Sequence, residues 1–277
     1  MTLERRKLSA TQFVCVLICA ATLACGARAQ AQGVAPGCGG DAVSRGEAAR
    51  VVDGRSFVAA DGREVRLAGI ETLLPVPGDE DEARVAAALA ARTALEKLVL
   101  HREVVVRSIG ADRYGRLIGY VVIQTPAGET LAQRELLAAG QALVSPAALS
   151  TQCRAYLREA ERGARVAKLG LWGDPYYVVR RADNIADILA EQGRFAVVGG
   201  KVASVRESGG IVYVNFGRRW SQDFTVTILK RNERLFTGAG LAPKALAGRQ
   251  VEVRGWIEER GGPAIEVARP EQIEIVN

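Results

Sequence analysis

From residue 48 onward apolar and polar positions alternate in short runs. Val51-Val52, Phe57-Val58 and Val65 to Leu67 stand apart, divided by Asp53-Gly54 and Asp61-Gly62. Period-two runs bounded by Asp-Gly pairs predict strands joined by tight turns. Residues 75–81 read as an acidic, proline-containing loop. Glu82 to Leu98, rich in Ala and Leu with apolar positions at helical spacing, predicts a helix. Strands return at Glu103 to Arg107 and Leu117 to Ile123. Pro126-Ala127-Gly128 turns the chain into a helix stopping near Gly140, and Ser150 caps another that runs to Leu169.

Residues 173–184 connect this half to a second one, which opens with a short helix from Asp183 to Gly193. The helical signal then fades. Strands are expected at Ala196 to Val205, Ile211 to Phe216, Phe224 to Leu229, Val251 to Ile257, and Ile265 with Ile273 to Val276. Five short strands in about 80 residues, interrupted near 231–247, predict a small five-stranded barrel of the oligonucleotide/oligosaccharide-binding (OB) type.

The N-terminus changes this picture. Arg5, Arg6 and Lys7 precede a mostly apolar run from Ala10 to Ala24, and Ala27-Arg28-Ala29 offers a cleavage site. This is the layout of a secretory leader, 1–29, and its apolar run is shorter than the ~20 residues that span a bilayer. A lipoprotein variant would use Cys25, but Thr22 stands where such signals carry Leu. No later stretch is long and apolar enough to span. Removing the leader leaves 33 basic against 30 acidic residues, a net charge of about +3, so charge alone argues weakly for a polyanionic partner. Three of five cysteines leave with the leader. In an oxidising compartment the remaining pair, Cys38 and Cys153, reads as a disulfide rather than a metal site. The one histidine, His101, argues against His-rich zinc sites and His-based nucleophilic catalysis.

Four stretches recur in order: Val51-Val52-Asp53-Gly54-Arg55-Ser56-Phe57, Arg66-Leu67-Ala68-Gly69-Ile70-Glu71, Asp112-Arg113-Tyr114-Gly115-Arg116, and a late helix with Leu157, Glu161 and Ala164 ending in Gly170-Leu171-Trp172. Together they resemble the staphylococcal nuclease (thermonuclease) family over about residues 48–174. The resemblance implies an α+β, mainly β fold: a five-stranded OB-like barrel with three helices, here followed by the second barrel. The expected division is leader 1–29, flexible arm 30–46, nuclease-like domain 47–174, linker with a short helix 175–194, and OB-like domain 195–277. The resemblance also implies calcium-dependent cleavage of DNA and RNA, with carboxylates on one Ca²⁺, a Glu as general base and two arginines on the phosphate.

Several of those positions are altered. The second Asp of the family's first motif is Arg55 here, its metal-binding Asp is Glu71, Thr72 can still offer a carbonyl, and its base is Leu74. Asp53, Glu71 and Thr72 are the metal positions if Ca²⁺ still binds; both phosphate arginines survive as Arg66 and Arg116. A cation–cation contact at ~4 Å costs about 4 kcal/mol at an effective dielectric of 20. Loss of the base alone removes roughly 10²–10⁴ in rate. Asp79, Glu80, Asp81 and Glu82 lie downstream as a source of rescue. The expectation is that Arg55 pairs with Glu71 or Asp53 and fills the metal position, with no cofactor unless the enzyme is active, in which case Ca²⁺. Tyr114 joins the candidate binding residues; the competing reading makes residues 112–116 a plain turn and pairs Arg66 with Glu71.

In the second half, Arg218, Arg219 and Trp220 follow a strand and precede Phe224. Charge beside rings suits a single-strand groove, while a packed hairpin with solvated arginines is the plainer reading. The leading functional expectation is an exported, catalytically impaired nuclease homologue that binds nucleic acid or another polyanion. The alternatives are an active calcium-dependent phosphodiesterase with a rearranged site, and an envelope module that binds proteins.

Overall fold

Strand β1 (Ala42–Asp53) runs antiparallel to β2 (Ser56–Ala59), which pairs β3 (Glu64–Leu67). After β4 (Ile70–Glu71) and helix α1 (Glu82–Val99) come β5 (Glu103–Ala111) and β6 (Leu117–Thr125). β5 pairs β1 and β6, and β6 returns parallel to β3, closing a five-stranded barrel in the order β1-β2-β3-β6-β5. The computed structural model describes residues 37–39, 42–74, 81–145, 150–173, 179–219 and 221–276. The expected leader and Trp220 lie outside the described residues, as does the acidic loop apart from Asp81.

Alternation closes the barrel. Phe57, Val65, Leu67, Val104, Val106, Val121 and Ile123 share its inner face, as period-two strands demand. A short strand β7 (Gly128–Leu131) extends β6 and leads into helix α2 (Ala132–Ala138). β8 (Leu143–Val144) pairs β4, and α3 (Thr151–Val166) follows. Ser150 caps α3 by accepting the Cys153 amide, and its hydroxyl donates to the Gly37 carbonyl. Cys38 and Cys153 form the expected disulfide across 115 residues.

The expected arm and linker are both shorter than predicted. Residues 42–46 already belong to β1, paired with β5, and the disulfide holds Cys38 in the first core. Gly- and Ala-rich composition concealed this, because the pairing of β1 is supplied by a strand sixty residues away. Within the expected linker, β9 (Arg180–Arg181) adds to β10 (Phe195–Lys201) and α4 (Ile185–Leu189) buries Ile188 in the second core.

In the second barrel the expected strand 196–205 is two: β10 and β11 (Ser204–Ser208), bent at Val202-Ala203. β11 pairs β12 (Ile211–Asn215), which pairs β13 (Thr225–Leu229). β14 (Gln250–Arg260) pairs β10, β15 (Gly262–Glu266) and β16 (Ile273–Ile275). β15 lies parallel to β13. The bent strand carries the sheet round, giving the same strand sequence as the first barrel. Helix α5 (Glu233–Gly238) and two 3-10 turns occupy the expected interruption.

The two barrels are packed on each other. Leu143, Ala164, Leu171, Trp172 and Val197 form a shared apolar cluster. Around it, Arg84 binds Glu191 through both guanidinium arms at 3.0 and 2.9 Å, and Arg180 joins the same carboxylate. Arg254 donates to Glu161 at 3.0 Å and to the Val144 carbonyl at 3.0 Å, and Arg165 donates to Glu252. Buried charges of this kind persist where a partner neutralises them.

Candidate functional site

The site residues are gathered at one side of the first barrel by strand register. Arg66 lies between the buried Val65 and Leu67, so alternation turns it outward. Ser56 pairs Arg66 across β2–β3, which places the β1–β2 turn and Arg55 beside Leu67; the Leu67 amide donates to the Arg55 carbonyl at 2.8 Å. The parallel register of Val65 with Leu117 brings Arg116 to Glu64, 3.6 Å away. β4, held by β8, delivers Glu71.

Gly54 explains how close α1 can come to this turn. A Cβ there would meet Ala91 Cβ at 2.7 Å and Thr72 Oγ1 at 3.1 Å. With no side chain at 54, the helix closes over the turn and Arg55 is directed into the barrel mouth, where it is only 5% exposed.

Arg55 sits on Glu71. Its Nη1 contacts Glu71 Oε2, while Arg66 Nη2 lies 3.3 Å from Glu71 Oε1. The Arg55 backbone amide donates to Asp53 Oδ1 at 2.9 Å. The expected ion pair with Glu71 is therefore formed through the side chain, and the contact with Asp53 through the backbone. Arg116 donates from Nε to Asp112 Oδ2 at 2.7 Å. Tyr114, 69% exposed, stands beside it, with the Arg113 and Arg116 guanidinium carbons 4.9 and 5.4 Å from the ring centre.

Burial above all, together with the positive charges of Arg66 and Arg116 and against the pull of Asp53, lowers the Arg55 pKa to about 10. Arg66 is lowered for the same two reasons, burial first and Arg116 second. Arg55 stays protonated at neutral pH. The three guanidiniums repel one another, and Arg66 and Arg116 each keep a quarter of the side chain in solvent. An anion arriving there relieves that repulsion.

The donor set does not suit a calcium ion. Ca²⁺ takes six to eight oxygen ligands. Here both Glu71 oxygens face guanidinium groups, Asp53 Oδ1 accepts an amide, and Arg55 fills the space between them. Thr72 is buried, its Oγ1 without a hydrogen-bond partner among the described residues. Leu74, expected from the resemblance at the base position, is half-buried and carries no titratable group.

Arg218 and Arg219 do not join this cluster. Both are exposed in the β12–β13 loop, where the Arg219 amide donates to Asp223. Phe216 and Phe224 pack on each other at 4.9 Å, as the hairpin reading expects. Sequence reasoning missed Asp112 and Glu64 as holders of Arg116. The Asx turn at 112–116 carried that signal, since Asp112 also accepts the Tyr114 and Arg116 amides.

Residues 64–174 match the family described as staphylococcal nuclease homologue. A micrococcal nuclease from Shigella flexneri is 33% identical over 143 residues, which cover 47% of this chain and 75% of that protein. The matched segment contains Arg66, Glu71, Asp112 and Arg116 on the first barrel. By its motifs, its barrel and this identity, the chain belongs to the staphylococcal nuclease homologue family.

Proposed function

We propose that this nuclease-family protein is exported, cleaves phosphodiesters poorly or not at all, and uses its barrel mouth as a metal-independent site for nucleic acid or a related polyanion. The observation that carries this reading is the Arg55 guanidinium lodged on the Glu71 carboxylate. A charge that the family draws from a bound cation is here supplied by a covalently attached one. Arg66 and Arg116 remain to take phosphate oxygens in the bidentate geometry that guanidinium favours, and exposed Tyr114 offers a ring beside them.

Export is supported by the leader pattern together with the Cys38–Cys153 disulfide, a bond that persists in oxidising compartments. Among the described residues no helix is long and apolar enough to cross a membrane.

The test is a time course of labelled single-stranded DNA with the purified chain, in Ca²⁺ and in chelator, beside a binding titration. Intact DNA in both, with binding that survives chelator and is lost in Arg66→Ala, is the expected result. Calcium-dependent degradation that disappears in Arg116→Ala overturns the proposal and identifies a working nuclease with a rearranged site.

A further inference from the structure

A cavity of about 380 Å³ lies away from the barrel mouth, between α3 and the second barrel. Its helical wall carries Arg154, Arg158, Arg162 and Arg165. Their spacing of four, four and three residues places them on one face of α3, about 6 Å apart along the axis for each step of four. Arg254 of β14 completes the lining from the second barrel and is 2% exposed.

Most of this charge is answered. Arg154 reaches Glu271 at 2.9 Å, Arg158 reaches Glu274 at 2.5 Å, Arg165 reaches Glu252, and Arg254 takes Glu161. Arg162 has no carboxylate partner among the described residues. Of the acids, only Glu161, Glu271 and Glu274 line the cavity, against five arginines. With Glu252 on Arg165, four carboxylates answer five arginines, and the groove carries one positive charge in excess, at Arg162. Burial first, and then the charge of Arg254, hold Arg158 below the ordinary arginine pKa despite Glu161 and Glu274.

We propose that this groove is a second anion site, built for a short chain of linked phosphates. The volume falls in the range of small-ligand sites. Guanidinium forks match phosphate oxygens, and a row of them at regular spacing suits a repeating anion better than a single one. The uncharged walls, Ala155, Leu241 and Ile273 among them, include no aromatic ring, so bases have nothing to stack on. Recognition is of the phosphates alone. Arg55, Arg66 and Arg116 do not line this groove, so the site is independent of the barrel mouth.

The experiment is calorimetric titration of the full chain with inorganic tripolyphosphate in an Arg116→Ala background, where the barrel-mouth site is disabled. One bound equivalent is expected to remain. Arg162→Glu and Ala155→Glu, both at exposed helix positions, should weaken it by at least about tenfold while leaving the melting temperature unchanged. An oligothymidylate that competes for this equivalent makes nucleic acid the source of the phosphates; failure to compete makes it free polyphosphate. No binding in the Arg116→Ala background overturns the proposal, as does binding indifferent to both substitutions or equal binding of polyglutamate.

Discussion

At residue 55 one side chain decides the character of the barrel mouth. A guanidinium buried to 5% exposure is tolerable because Glu71, itself 8% exposed, neutralises it. The pair is asymmetric in its consequences. Arg55→Ala leaves Glu71 buried with Arg66 as its remaining cation, 3.3 Å away. Removing one member of a buried pair typically costs about 3–5 kcal/mol. A urea titration of Arg55→Ala should show a loss of that size, and one below about 1 kcal/mol would mean the pair is open in solution. Arg66→Ala removes a partly solvated partner and should cost about 1 kcal/mol or less, while abolishing phosphate binding. Stability and binding therefore separate between two arginines that share one carboxylate.

Elements of the first barrel were legible wherever a local signal coincided with the tertiary requirement. Gly62 and Gly140 take positive φ at +84° and +67°, as the predicted turn and helix stop require. Ser150 caps α3 where expected. A contact of Arg55 with Glu71 or Asp53 was also expected, because an arginine stands where the family has an aspartate while both neighbouring acidic positions keep their charge. What escaped the sequence was non-local. The start of β1 depends on β5, and the bend between β10 and β11 depends on two partner strands. Glu252 and Arg254 alternate with the buried Val251 and Val253 on β14. Such a pattern also fits a solvated face, so nothing local revealed that it faces Glu161 and Arg165. The disulfide ties the arm to α3 over a long loop, and in the chain-entropy account this is worth about 4–5 kcal/mol. Reductant should lower the denaturation midpoint accordingly, and Cys38→Ser should reproduce the loss without reductant. Equal midpoints with and without reductant would mean the bond adds no stability.

For the whole molecule, the packing of one barrel on the other rests on buried charge, which makes it sensitive to acid. Glu191 is the group to examine, because Arg84 of the first barrel and Arg180 next to the second meet on its carboxylate. Burial alone would raise its pKa, but the hydrogen bond and charge of Arg84, followed by those of Arg180, outweigh burial and hold it below the ordinary value of 4.5. The folded protein thus favours the ionised form more than the unfolded chain does. The stability this contributes is fully present above the unfolded pKa and is lost as pH falls through the lower, folded one. Melting temperature measured from neutral pH downward should hold level and then fall below about pH 4.5. Glu191→Gln should melt lower at neutral pH, by about 3–5 kcal/mol for the broken pair, and its acid limb should be shallower, since the titrating group is gone. An acid limb as steep in Glu191→Gln as in the parent would move the acid sensitivity elsewhere. The next group to test would then be Glu161, which Arg254 holds across the same interface.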